Sequence, residues 1–77
     1  KPDPNQNGNE MTAPLPGTVI EVFVKPGDII ESGQVILIIE AMKTMNHIPA
    51  PRSGTVVHIM IENGQPVEFG EPLCVIE

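Results

Sequence analysis

Lys43 carries the side chain with the clearest chemical potential, because its primary amine lies in a short segment, residues 41–49 (AMKTMNHIP), between two similar stretches of sequence. Such an amine is a substrate for acylation by another protein, which removes one positive charge. An exposed lysine is protonated at neutral pH, so the acylating enzyme must help to remove a proton. Most lysines are solvated surface residues without such a role. The chemistry of Lys43 therefore depends on the elements that position it.

The other reactive side chains do not form a catalytic or metal-binding set. His47, His58 and Cys74 lack the spacing of metal ligands, and the residues needed to activate a nucleophile are missing or scattered. The glycines stand singly rather than in a phosphate-binding loop. Cys74 lies in the apolar run 72–76 and is interpreted as a small buried hydrophobe. The sequence therefore predicts neither a metal site nor a catalytic residue.

The composition argues against several classes of protein. The 77 residues allow one small domain, and a single cysteine allows no internal disulfide. Four Lys and Arg against ten Asp and Glu give a net charge of −6, which argues against a nucleic-acid partner. No apolar stretch approaches the roughly 20 residues that a membrane span needs. We expect a cytoplasmic domain that does not insert into a membrane.

Residues 1–10 differ in composition from the rest of the chain. They are rich in Pro, Asn and Gly and contain no large apolar side chain, which predicts a flexible linker. Residues 11–77 are predicted to be the folded domain. A linker at Lys1 suggests a piece of a longer protein or a subunit tail.

Residues 13–40 are repeated as residues 50–77. A shift of 37 positions aligns the two stretches without a gap, and ten of the 28 pairs are identical, including Gly17 with Gly54. Turn dipeptides fall at matched places, Pro26-Gly27 in the first half and Asn63-Gly64 in the second. Two copies are too few for a solenoid. The repeat predicts one domain built from two similar halves related by a pseudo-twofold axis.

Both halves are predicted to form strands, because β-branched residues crowd every segment between turns. The apolar runs 35–39 and 72–76 favour interior strands, and Pro66 and Pro72 are placed at strand starts or edges. Alternation assigns an inner face to the first strand of each half. The predicted inner residues are Thr18, Ile20, Val22 and Val24 in the first half and Thr55, Val57, Ile59 and Ile61 in the second.

The segment Glu40-Ala41-Met42-Lys43 resembles the attachment motif of biotinyl domains, the biotin carboxyl carriers of biotin-dependent carboxylases. It stands at the junction of two similar halves, as in that family, and each half begins with APxxG. The resemblance covers residues 12–77. It implies an all-β fold, a flattened barrel-sandwich hybrid of two four-stranded antiparallel sheets, with Lys43 on an exposed hairpin.

The resemblance also implies a function. A biotin protein ligase would activate biotin with ATP as biotinyl-adenylate, and the Lys43 amine would attack it, so that Lys43 is a substrate and not a catalyst. A biotin carboxylase would load a carboxyl group from bicarbonate, and a carboxyltransferase would pass it to an acyl-CoA or a keto acid. The residues expected to form the recognition hairpin around Lys43 are Glu40, Ala41, Met42, Thr44 and Met45.

Two features bear on the parent enzyme. The family usually has Met directly after the lysine, where this chain has Thr44. The first half has no thumb insertion, as in carriers of pyruvate carboxylase, transcarboxylase and the decarboxylase pumps. Residues 63–73 nevertheless look most like acetyl-CoA carboxylase carriers. The prediction is an acetyl-CoA carboxylase carrier in fatty acid synthesis, with the other carriers as alternatives.

Three other classes of protein fit the sequence less well. A lipoyl carrier domain of a 2-oxo acid dehydrogenase complex shares the fold, but that family typically has an acidic residue directly before the lysine, where this chain has Met42. A barrel-sandwich interaction module, such as an efflux adaptor, would leave Lys43 without a role. An enzyme is disfavoured because no plausible catalytic pair is present.

Overall fold

The computed structural model describes residues 9–77, which form eight strands and no helix. The strands are β1 (Glu10–Thr12), β2 (Gly17–Val22), β3 (Ile29–Ile30), β4 (Val35–Ala41), β5 (Thr44–Pro49), β6 (Gly54–Ile59), β7 (Pro66–Val67) and β8 (Pro72–Ile76). They build two four-stranded antiparallel sheets, ordered β1-β8-β6-β3 and β5-β4-β2-β7, which do not close into a barrel. The predicted fold class is confirmed. Residues 1–8 of the predicted linker lie outside the described residues.

The two halves interlock through equivalent hydrogen bonds. The Val19 N–H donates to the Gln65 carbonyl at 2.9 Å, and the Val56 N–H, 37 positions later, donates to the Asp28 carbonyl at 2.9 Å. A turn of each half is thus bonded to the first long strand of the other half. Neither half satisfies its backbone groups alone, so the two copies must fold as one domain.

β1 extends the repeat beyond the stretch that sequence identity revealed. Met11 pairs with Cys74 on β8, and Ile48, 37 positions later, pairs with Leu37 on β4. Both Met11 and Ile48 are buried in the core. The second half of β5 is therefore the structural copy of β1. The two segments, NEMT and NHIP, share only their first residue, which is why comparison of the halves stopped short of them.

The start of the folded domain differs from the predicted boundary. Glu10 pairs with Val75, and the Asn9 carbonyl accepts a hydrogen bond from the Ile76 N–H at 2.9 Å. Asn9 and Glu10 were predicted to belong to the linker, but they are in contact with β8. Their polar side chains gave no sign of this, because Asn9 and Glu10 contact β8 through backbone pairing.

A β-bulge in each half overturns part of the predicted inner face. The β2 register shifts between Val19 and Glu21, so Ile20 is the extra residue. Val19 is fully buried and Ile20 is 36% exposed, the reverse of the prediction. The same shift falls between Val56 and His58 on β6. Beyond the bulge the predicted alternation is recovered, and the residues that pack on the core there include Val22, Val24 and Ile59.

A single apolar core lies between the sheets, and no polar or charged residue among residues 9–77 is buried. Its centre is formed by Ile36, Leu37 and Ile39 of β4 and Leu73, Cys74 and Ile76 of β8. The prediction that Cys74 is a buried hydrophobe is confirmed, and burial raises the pKa of its thiol to about 11. Because β4 belongs to this core, the strand that leads to Lys43 is firmly held.

Candidate modification site

Lys43 lies in a tight hairpin between β4 and β5. Ala41 pairs directly with Thr44, so Met42 and Lys43 alone form the loop. Both have positive φ angles, 53° at Met42 and 65° at Lys43. A two-residue type I′ turn requires positive φ at both central positions, and its twist matches that of the flanking strands. The register of the strands therefore fixes where the Lys43 side chain leaves the backbone.

This turn is unusual in its residue types. Asn-Gly is the preferred pair in a type I′ turn, and a non-glycine residue in the left-handed region costs on the order of 1–3 kcal/mol. Here both positions carry long side chains, Met42 and Lys43. Such strain persists only where surrounding structure determines the conformation. β4 supplies that support, because it pairs with β2 on one side and with β5 on the other.

The tip of the hairpin is exposed. Met42 is 96% exposed and Met45 is 52% exposed, and Lys43 and Thr44 are also exposed. No ion pair to Lys43 is present among residues 9–77. The sequence left open whether Met45 is exposed or packed on the barrel, and about half of it faces solvent. The Lys43 amine is thus accessible and flanked by flexible apolar side chains.

Glu40 and Ala41, the predicted recognition residues that precede the turn, are half-buried at the end of β4. Gly17 lies against this end of the strand. A Cβ at Gly17 would collide with the Glu40 carbonyl oxygen and lie 2.6 Å from Ile39 Cγ2. Gly17 therefore permits the close approach of β2 and β4 directly below the hairpin. Sequence comparison identified Gly17 as a repeated residue but not this contact.

Asn46 is a residue of the hairpin that sequence reasoning missed. Its side-chain amide donates to the Ile39 carbonyl at 3.2 Å and to the Thr44 carbonyl at 3.1 Å. Because both partners are carbonyl oxygens, the atom that faces them must be the amide nitrogen. Asn46 thereby links the two strands of the hairpin. The one signal in the sequence is its match to Asn9 when the halves are aligned.

The remaining candidate side chains lie elsewhere. His47 and His58 are exposed on β5 and β6, whereas Cys74 is in the core. In the described part of the chain no group of three or more His, Cys, Asp or Glu could hold a metal ion. Residues 9–77 also contain no helix long and apolar enough to cross a membrane.

A known protein family matches nearly all of the described residues. Residues 9–76 match the family described as biotin-requiring enzyme. The match includes both sheets and the whole β4–β5 hairpin.

Individual proteins are similar over parts of the chain. The chain is 55% identical over 38 residues to glutaconyl-CoA decarboxylase subunit gamma of Acidaminococcus fermentans, a match that covers 49% of this chain and 26% of that protein. It is 48% identical over 40 residues to the biotin carboxyl carrier protein of Streptococcus mutans, covering 52% of this chain and 31% of that protein. The chain thus spans about a quarter to a third of these relatives.

The fold is also found in a much larger solved structure. The urea carboxylase of Kluyveromyces lactis contains a region that superposes on all of this chain with a TM-score of 0.84 and 34% sequence identity, and the match covers 6% of that enzyme.

Proposed function

Because the chain belongs to the family of biotin-requiring enzymes, we propose that Lys43 is the residue to which biotin is covalently attached. The chain is a biotin carrier domain, non-catalytic itself, and biotin is its cofactor. The observation that carries the proposal is the geometry of Lys43, an exposed amine on a two-residue turn at the end of a core strand.

A comparison of the lysines supports this choice. Residues 9–77 contain two lysines, Lys25 and Lys43. The Lys25 amine forms an ion pair with Asp28 at 3.2 Å in the turn after β2. Lys43 has no such partner among the described residues and follows the Glu40-Ala41-Met42 segment that resembles the attachment motif. Lys43 is therefore the lysine that a ligase can engage without breaking an ion pair.

The residues around Lys43 fit a covalently attached group. Lys43 lies in the two-residue turn and its side chain is exposed. Biotin, when attached, supplies a ring nitrogen that carries a carboxyl group from one active site to another. The chain itself holds the lysine in a defined place, because β4 runs from the core to the turn and fixes the backbone of Lys43. The aliphatic part of the lysine side chain keeps its rotatable bonds. Met42 and Met45 offer adaptable apolar contacts to a partner enzyme.

This role implies three partner enzymes: a biotin protein ligase, a biotin carboxylase and a carboxyltransferase. We propose that the chain and all three partners are cytoplasmic. The composition of residues 1–8 supports a role as a tether to a larger assembly, with residues 9–77 as the carrier domain. A tether makes both carboxyl-transfer encounters effectively intramolecular, at local concentrations on the order of mM for a short linker.

For the parent enzyme we propose acetyl-CoA carboxylase, supported by the resemblance of residues 63–73 to its carriers. The 55% identity to a glutaconyl-CoA decarboxylase subunit favours a decarboxylase as the second candidate. The biotinylated chain can be supplied to each set of partner subunits in turn. Malonyl-CoA formation from acetyl-CoA, ATP and bicarbonate would support the first candidate, and restored glutaconyl-CoA decarboxylation would support the second.

The attachment site is tested by co-expression of the chain with a biotin protein ligase, followed by intact-mass measurement and streptavidin blotting. Wild type is expected to gain one biotinyl group, and Lys43→Arg is expected to abolish the label. Lys25→Arg is the matched control, because it also keeps the charge, and it should be labelled like wild type. A label that survives Lys43→Arg would place the site elsewhere, and a lipoyl mass in place of biotin would make the chain a lipoyl carrier.

A further inference from the structure

We infer that Asn46 is a positioning residue for the modification of Lys43, because its side chain holds the strained two-residue turn in a single register. The inference rests on the proposed function, in which Lys43 is the acylated residue. Asn46 lies three residues after Lys43 and is half-buried in the stem of the hairpin. It need not touch biotin or the ligase to act in this way.

One of the two hydrogen bonds of Asn46 depends on the hairpin register, because it crosses from β5 to β4. Asn46 pairs across the sheet with Ile39, and its amide reaches the Ile39 carbonyl on β4 and the Thr44 carbonyl on its own strand. A slip of one residue would turn the Asn46 side chain to the other face of the sheet and break the link to Ile39. The bond to Ile39 therefore forms only when Ala41 lies opposite Thr44, whereas the bond to Thr44 is local to β5.

The turn needs such a constraint. A longer loop could relieve the positive φ angles of Met42 and Lys43, at the cost of the Ala41–Thr44 pair at the end of the hairpin. Backbone pairing holds β5 on one side only, because β5 is an edge strand of its sheet. The Asn46 amide adds one side-chain bond between the strands, to the Ile39 carbonyl, near the point where the strands would separate. Its loss should increase the population of open or slipped hairpins.

The other half of the molecule has a side-chain donor at the equivalent place. We call these two places corners: the first is the end of β4 at Ile39, and the second is the end of β8 at Ile76. The carbonyl equivalent to that of Ile39 is the carbonyl of Ile76, which accepts a hydrogen bond from the Arg52 guanidinium. The same guanidinium donates to Asn9 Oδ1 at 2.7 Å. Both corners thus bind a side-chain donor at equivalent carbonyls, but only at Asn46 does the donor lie next to a reactive lysine.

The kinetic consequence is specific. If the ligase binds only the closed turn, the apparent affinity falls in proportion to the fraction of closed hairpin. The loss of these hydrogen bonds in Asn46→Ala corresponds to about a tenfold change in the ratio of closed to open hairpin. KM for the chain should rise by the factor by which the closed fraction falls, which is at most about tenfold, while kcat stays within about twofold, since the bound chain reacts normally.

The test combines ligase kinetics with NMR measurement of the HN–Hα couplings of Met42 and Lys43 in unmodified chain. Asn46→Ala should raise KM and shift both couplings away from those of one positive-φ conformer. Asn46→Asp should shift them further, because its carboxylate would face two carbonyl oxygens. Asn63→Ala is the matched control, since Asn63 Oδ1 accepts from the Val22 N–H at 3.2 Å, away from the hairpin. It should change neither quantity.

Asn46→Ser keeps one hydrogen-bond donor and serves as a second variant if Asn46→Ala does not fold. Its KM and its couplings at Met42 and Lys43 should lie between those of wild type and Asn46→Ala. Unchanged couplings at Met42 and Lys43 in folded Asn46→Ala, or a rise in KM shared by Asn63→Ala, would overturn the inference. A wild-type chain that accepts no biotin would overturn the proposed function, and in that case the couplings alone would still decide whether Asn46 sets the turn.

Discussion

The two halves of the molecule fold alike but end differently. Their strands, bulges and turns correspond at a spacing of 37 residues, down to individual hydrogen bonds. The first half continues from Glu40 into the hairpin that carries Lys43. In the second half the corresponding strand ends beside Asn9, where Arg52 binds both segments. The pseudo-symmetry thus gives two equivalent corners, and only the first leads into a hairpin that carries a lysine, Lys43.

The largest effect is expected from the paired glycines that let the strands approach at each corner. A Cβ at Gly17 would collide with the Glu40 carbonyl, and one at Gly54 would lie 2.8 Å from the Glu77 carbonyl. Gly17→Ala and Gly54→Ala should each lower the free energy of unfolding by about 1–3 kcal/mol, because a backbone shift is required. Urea denaturation measures this loss.

The two variants should differ in biotin labelling. Gly17→Ala displaces the end of β4, three residues before Lys43, and should slow the ligase reaction. Gly54→Ala displaces the other corner and should leave the rate of labelling unchanged. The rates are compared at a temperature where both variants are fully folded. Equal slowing in both would mean that stability, and not the position of the hairpin, controls labelling.

Much of this architecture is predictable from the sequence, because the repeat and its matched turns define two similar β units and the segment between them. The bulges are not predictable, since Val19 and Ile20 are both apolar and alternation cannot tell which is the extra residue. The equivalence of β1 with the second half of β5 is not predictable either, because residues 10–12 share no residue type with residues 47–49.

The candidate site shows the same limit. A motif can point to Lys43, since the motif is local and its residues are contiguous. The contribution of Asn46 depends on which carbonyls lie within reach of its amide, and that follows from register. The contact between Gly17 and Glu40 is likewise a property of strand packing. Residues that position the lysine are therefore found only once the two strands are placed side by side.

A smaller effect should follow from Arg52→Ala, which removes the side-chain donor from the corner without a lysine. The loss of its bonds to Asn9 and Ile76 should cost about 1 kcal/mol and speed amide hydrogen exchange at Glu10 and Ile76. Labelling of Lys43 should not change. Arg52→Lys keeps the charge but not the planar guanidinium, and it should recover only part of the protection. A change in labelling would show that the two corners are coupled.

The smallest expected effect is a difference in pH dependence between two equivalent turns, the one after β2 and the one after β6. Asp28 Oδ2 accepts from the Lys25 N–H at 3.0 Å, and Gln65 Oε1 accepts from the Glu62 N–H at 3.2 Å in the second half. The Lys25 N–H, with a further contribution from the Lys25 amine, holds the pKa of the Asp28 carboxyl below its ordinary value of 3.8.

Since the folded pKa is the lower one, the stabilisation by Asp28 is present above pH 3.8 and is lost as the pH falls through the folded value. Acid should therefore speed amide exchange at Lys25 relative to Glu62, after correction for the intrinsic pH dependence of exchange, because Gln65 does not titrate. Asp28→Asn should remove the pH dependence of this difference. If the two amides respond alike to acid in the wild-type chain, the carboxylate does not stabilise the first turn, and the equivalence of the two halves extends to their electrostatics.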